Sequence, residues 1–161
     1  MYPKRLELYS RFKSELSAYN ITYQTDKNIY AKRGTDPELL DKSASGTQLL
    51  QNKYIRLISE HKVAIFASDI YGYFVKKYAE CLMAGVLLIA PDVVDAREAG
   101  LIAGKHFIKI EDNLDLVVKQ VREILDHFDR YREIATEGHN WYLENGEKLC
   151  DQTYENIQKY K

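Results

Sequence analysis

Residues 62–91 read KVAIFASDIYGYFVKKYAECLMAGVLLIAP. Lys62 to Ala67 is a short apolar, β-branched and aromatic run, and it predicts a strand. Beyond it, Phe74, Val75, Tyr78, Ala79, Leu82 and Met83 recur with the period of a helix from Phe74 to Ala84, and Gly85 follows as a stop. Val86 to Ala90 is unbroken by any polar residue and ends at Pro91, the pattern of a strand covered on both faces. Strand, helix and strand in this order form the unit of a parallel sheet.

Working outward, the same reading continues on both sides. Upstream, Leu6, Tyr9, Phe12, Leu16 and Tyr19 recur at intervals of three and four, predicting a helix over Lys4–Tyr19 with Pro3 in its first turn. Ile21–Thr25 reads as a short strand, residues 26–44 as a polar loop, and Gly46–Glu60 as a second helix. Downstream come a short helix over Val93–Ala99 and a strand over His106–Ile110. Three helices follow, at Asn113–His127, Arg130–Glu137 and Glu147–Tyr160. The expected fold is α/β: one Rossmann-like domain over residues 1–161, with a mostly parallel sheet, helices on both faces and a helical C-terminal tail.

In such sheets ligands bind outside the carboxyl ends of the strands. That rule selects the loops Ser68–Tyr73 and Pro91–Asp95. Free backbone N–H groups near residues 72–75 would sit at the positive end of the helix dipole, a place that stabilises an anion such as a diphosphate. Lys77, one turn along, reaches the same phosphates, and the carboxylate of Glu80 suits the vicinal hydroxyls of a ribose. The spacing is open to a plainer reading: Lys76 and Glu80 at i, i+4 also suit a surface ion pair contributing a few tenths of a kcal/mol.

Composition narrows the classes. The chain is 45% apolar and 29% charged with net charge −1, which fits a globular protein and argues against an electrostatic nucleic-acid partner. The longest apolar stretch, Cys81–Pro91, is too short to span a membrane, and the charges in MYPKRLELYSRF oppose a signal peptide. A cytoplasmic location follows as the expectation. Cys81 and Cys150 have no metal-ligand spacing, and Cys81 reads as a buried reduced thiol. His61, His106, His127 and His139 share no spacing with an Asp or Ser that would make a triad, so structural or surface roles are expected. Trp141 and Tyr142 read as anchors of the helical tail, residues 126–133 as a solvated charged face, and Asp36-Pro37 as a helix entry. A receiver-like acidic pocket is poorly served by Asp26, Asp69 and Asp92.

The run Lys77-Tyr-Ala-Glu-Cys-Leu-Met-Ala-Gly-Val-Leu-Leu-Ile-Ala-Pro91 resembles the K-Y-x-E-x-x-x-x-G segment of the carboxyl-terminal domain of GT-B glycosyltransferases. Glu98–Ile110 is similar to the region that follows it there, Tyr131–Gly138 to a helix ending I-A-x-x-G, and Tyr2-Pro-Lys-Arg5 to a Y-P-x-R helix opening. The resemblance implies a nucleotide-sugar-binding GT-B half and sugar transfer from a nucleoside diphosphate, without an obligatory metal or other cofactor. It assigns Glu80 to the ribose and Lys77 to the phosphates, with Tyr73, Ser68, Asp92 and Arg5 lining the cleft. Two departures stand out. Gly72 occupies the position, eight residues before Glu80, where many retaining members carry a glutamate, so no catalytic residue is assigned. The acceptor-binding domain would have to come from a missing amino-terminal half or a partner chain. Without that surface, Tyr154, Ile157 and Tyr160 would fold onto their own domain or onto a second copy. The alternative to an enzyme is a non-catalytic α/β module, retaining the scaffold and serving assembly or regulation.

Overall fold

The computed structural model describes residues 3–21, 55–66 and 76–159, and side chains within 7–21, 55–66 and 77–146. The chain divides into two compact units, Met1–Leu57 and Ile58–Lys161. In the first, helix α1 spans Pro3–Glu15. Leu8, Phe12 and Leu16, spaced by four, are its buried stripe. The expected helix to Tyr19 stops short: the Tyr19 N–H donates to the Leu16 carbonyl at 3.0 Å, a three-residue closure that tightens the last turn. Ile21 is not in a strand; the rest of the expected strand at 22–25, the loop at 26–44 with Asp36-Pro37, and most of the helix from Gly46 lie outside the described residues. Residues 55–59 are helical, as expected.

The second unit is α/β and holds a small, open three-stranded parallel sheet in the order β1-β2-β3. The strands are β1 Val63–Ile65, β2 Leu87–Ala90 and β3 Ile108–Lys109. Val63 stands opposite Leu87, Ile65 opposite Ile89, and Ile89 opposite Ile108. Pairing runs slightly past these bounds, since Phe66 N–H donates to Ile89 and Ile110 N–H to Ala90. Helix α2, Lys76–Met83, joins β1 to β2, and the short α3, Val94–Glu98, leads from β2 toward β3. Residues 87–90 are all fully buried, and successive strand side chains alternate, so β2 is covered on both faces.

Glycine ends both of these helices. At Gly85 (φ +70°) the N–H bonds back to Leu82, and the next, of Val86, to Cys81; Gly100 (φ +89°) and Leu101 repeat the pattern on Arg97 and Ala96. These are Schellman stops, which require a left-handed residue and deliver an apolar one into the core. Val86 and Leu101 are both buried.

Helix α4, Leu114–Asp126, is capped by the Asn113 side chain, which accepts from Asp115 N–H at 2.8 Å. It buries Val117, Val118, Val121 and Ile124. A 3-10 turn at Phe128–Arg130 precedes α5, Arg132–Lys159. The charged residues between Asp126 and Glu133 are exposed, as read. The sequence reading of two helices separated at residues 138–146 is corrected: α5 is continuous. Gly138 is not a break. A Cβ there would lie 2.3 Å from the His106 carbonyl oxygen and 2.8 Å from a Leu82 methyl, so the glycine permits helix and loop to touch. Trp141 anchors α5 in the core, as expected, and His106, for which the sequence leaves a structural or a surface role open, is buried. The side chains of Cys150, Tyr154, Ile157 and Tyr160 lie outside the described residues. Among the described residues no helix is long and apolar enough to cross a membrane.

Candidate functional site

Tyr78 of α2 packs across the face of the sheet. Its ring is fully buried, edge-on to Phe66 beyond β1 at 4.9 Å and to Phe107 before β3 at 5.8 Å. Its hydroxyl donates to the Pro91 carbonyl, just past β2. Burial, and secondarily the charge of Asp92, push the phenol well above its usual range, so it stays a donor. One side chain therefore fixes α2 to the end of the central strand.

Lys77 and Glu80 stand on the other flank. At 100° per residue Glu80 lies about 160° around α2 from both Tyr78 and Leu82, and about 60° from Lys77. The shared polar flank is as read from the sequence, but its exposure is not. Lys77 is half-buried, and Glu80 is only 8% exposed. Glu80 is thus a buried carboxylate on the face turned away from the sheet core, where a solvated ion-pair residue was the plainer expectation. Cys81, beside it, is a buried free thiol pushed up to about 12, chiefly by burial, then by Glu80 and against the opposing effect of Lys77. It is the buried thiol expected from the helical pattern.

Asp92 follows Pro91 and is clamped by a residue that sequence reasoning missed. Arg97, on α3, donates to Asp92 Oδ2 at 2.9 Å. The signal was present, an acidic residue at a helix entry with an arginine one turn along, but nothing in the apolar pattern marks it. The second oxygen, Asp92 Oδ1, is shielded from solvent and has no hydrogen-bond partner among the described residues. Nearby, Gln120 of α4 donates to the Lys109 carbonyl at 2.9 Å and accepts from Glu111 N–H at 3.3 Å, tying down the end of β3.

Of the residues selected from sequence, the second unit thus places Lys77 and Glu80 together on α2, with Asp92 at the end of the neighbouring strand. Ser68 and Tyr73 lie outside the described residues, as do the amides at 72–75. Arg5 belongs to α1 in the first unit, and its side chain is likewise outside them. Among the described residues no group of His, Cys, Asp and Glu is placed to hold a metal ion. Comparison with protein-family models, with curated proteins and with solved structures finds no match to this chain.

Proposed function

We propose that this chain is the donor-binding half of a GT-B-type glycosyltransferase. In this reading it is a Rossmann-like domain that holds a nucleotide-diphosphate-sugar and transfers the sugar together with a separate acceptor-binding domain. The observation that carries the reading is the placement of Lys77 and the buried Glu80 on one flank of α2, the helix between two neighbouring strands of a parallel sheet. An ammonium near a helix start stabilises a diphosphate. A water-shielded carboxylate accepts hydroxyl hydrogen bonds more strongly than an exposed one. The unsatisfied Asp92 Oδ1 at the next strand end offers a further acceptor for a sugar hydroxyl. Catalysis would come from stabilising the charge that develops on the departing nucleoside diphosphate.

Calorimetric titration with uridine, guanosine and adenosine diphosphates tests this directly, and heat from none of the three would sink it. Glu80→Ala should weaken the nucleotide that binds by roughly 1.5–3 kcal/mol, the loss typical of a hydrogen bond to a charged group. Because Glu80 is buried, the melting temperature of the variant is measured alongside, and Glu80→Gln serves as the shape-matched control.

The burial of Glu80 also favours a second reading, in which its carboxylate serves the fold of a non-catalytic assembly module. That reading predicts no nucleotide affinity and a Glu80→Ala chain that loses stability instead.

A further inference from the structure

Loop 101–107, between α3 and β3, closes on itself through its own backbone and one imidazole. His106 N–H donates to the Ile102 carbonyl at 2.9 Å, and Gly104 N–H to Phe107 at 2.7 Å. In return, Ile102 N–H donates to Nδ1 of His106 at 3.0 Å. An N–H can donate only to an unprotonated ring nitrogen, so this contact fixes the proton of the neutral imidazole on Nε2. The residue is 6% exposed.

The same residue is where α5 docks. Gly138 approaches the His106 carbonyl at a distance that admits no side chain, and the Trp141 ring lies 6.2 Å from the imidazole, centroid to centroid. From these facts we infer that loop 101–107 is an acid-released latch: protonation of His106 at Nδ1 expels the Ile102 N–H and loosens the seat of α5.

The reasoning is one of donors and acceptors. Protonated imidazole has two N–H groups and no acceptor, so Ile102 N–H would face another donor inside a closed loop. This part-buried donor must then exchange the ring for water, or the loop must open. The charges around the ring are Lys105 on the loop and Glu137 on α5, which form an ion pair of 3.9 Å with each other. Burial disfavours the cationic ring, Lys105 adds to that, and Glu137 opposes it; the net is a His106 held below its usual range. Gly138 and Trp141, which meet His106 from α5, are uncharged. His139 on α5 sits with Nδ1 2.9 Å from the Leu82 carbonyl, a contact in which it must donate, so gaining a proton does not break it.

The sign follows from the depressed folded value. Above about pH 6.5, the ordinary imidazole value, both closed and open forms hold His106 neutral and the latch is at full strength. As the pH falls below that point the open form binds the proton first, and closure weakens until the folded value is reached.

Amide hydrogen exchange on the full chain between pH 7.5 and 5, corrected for intrinsic rates, reads this out. The opening of Ile102 and of the α5 segment 133–141 should rise by up to about ten-fold per pH unit below about 6.5, ahead of Leu88 in β2. His106→Asn places an acceptor oxygen near Nδ1 that does not titrate, and the pH dependence should vanish. A flat wild-type profile, or equal acid sensitivity in both chains, overturns the latch. Should His106→Asn fail to fold, the ring ¹⁵N shifts of the wild type decide. An Nδ1 that gains its proton only on acidification below about pH 6, with the Ile102 amide shifting in step, supports it, and ring protonation with an unmoved Ile102 amide overturns it.

Discussion

Tyr78→Ala should cost about 3–5 kcal/mol of unfolding free energy, the range for deleting a large buried aromatic side chain. Three contacts disappear together. The ring touches Phe66 beyond β1 and Phe107 before β3, and the hydroxyl satisfies the Pro91 carbonyl beyond β2. A ring with no exposed surface, set among all three strands, leaves a hole that the sheet cannot close without breaking its register. A domain of this size has about 5–15 kcal/mol in total, so the variant should unfold at much lower urea concentration. Tyr78→Phe separates the two contributions: it keeps the ring and loses only the hydroxyl, for about 1 kcal/mol. A Tyr78→Ala loss below about 2 kcal/mol would mean that the ring does not tie α2 to the sheet as described.

Gly138→Ala comes next, and it runs against helix propensity. Alanine in a helix interior is favoured over glycine by about 1 kcal/mol. Here the added methyl would meet the His106 carbonyl oxygen at 2.3 Å and Leu82 at 2.8 Å. The oxygen is backbone, belongs to a loop closed by its own hydrogen bonds, and has little freedom to retreat. Overpacking of this kind costs about 1–3 kcal/mol or more. A contact this short falls at the upper end, so a net loss of about 2 kcal/mol is expected. Gly146→Ala is the internal control, because the nearest atoms its methyl would meet among the described residues belong to the Tyr142 ring, at 3.1–3.4 Å, and a side-chain ring can give by a few tenths of an ångström where a loop carbonyl cannot. Urea midpoints should therefore fall for the first variant and stay or rise for the second. Equal shifts would show that α5 is not seated through Gly138.

Those two glycines also show where sequence reading stops. Gly85 is legible as a helix end because the apolar period breaks there and a strand pattern begins at once. Gly138 and Gly146 carry the same residue type, and reading them as a helix break divided α5 into two. What distinguishes them is a neighbour far along the chain: His106 lies 32 positions before Gly138. The three strands, α2, α3 and α4 were all visible from period, caps and prolines, since those signals are local.

The candidate site was legible only as residue types. Lys77 and Glu80 follow from helical spacing, and so does their common flank, but the burial of Glu80 does not. A carboxylate on the polar side of a helix is normally solvated, and only tertiary packing can cover it. The clamp of Asp92 by Arg97 lies between these extremes, for the two are close in sequence yet meet only because α3 turns back where it does.

An all-apolar strand carries no parity. In β2, Leu88 and Ala90 join the cluster around Tyr78 and Phe107, while Leu87 and Ile89 point the other way, and all four are fully buried. Sliding the strand by one residue would exchange the two pairs without bringing a single polar group inside, so hydrophobicity alone does not choose between the alternatives. The choice must come from the ends: the Gly85 stop, which counts the chain into the strand from Val86, and the Tyr78 hydroxyl, which holds the Pro91 carbonyl on the way out. Alignment of the central strand is thereby delegated to its two flanking residues, and its interior is left free to be chosen for volume.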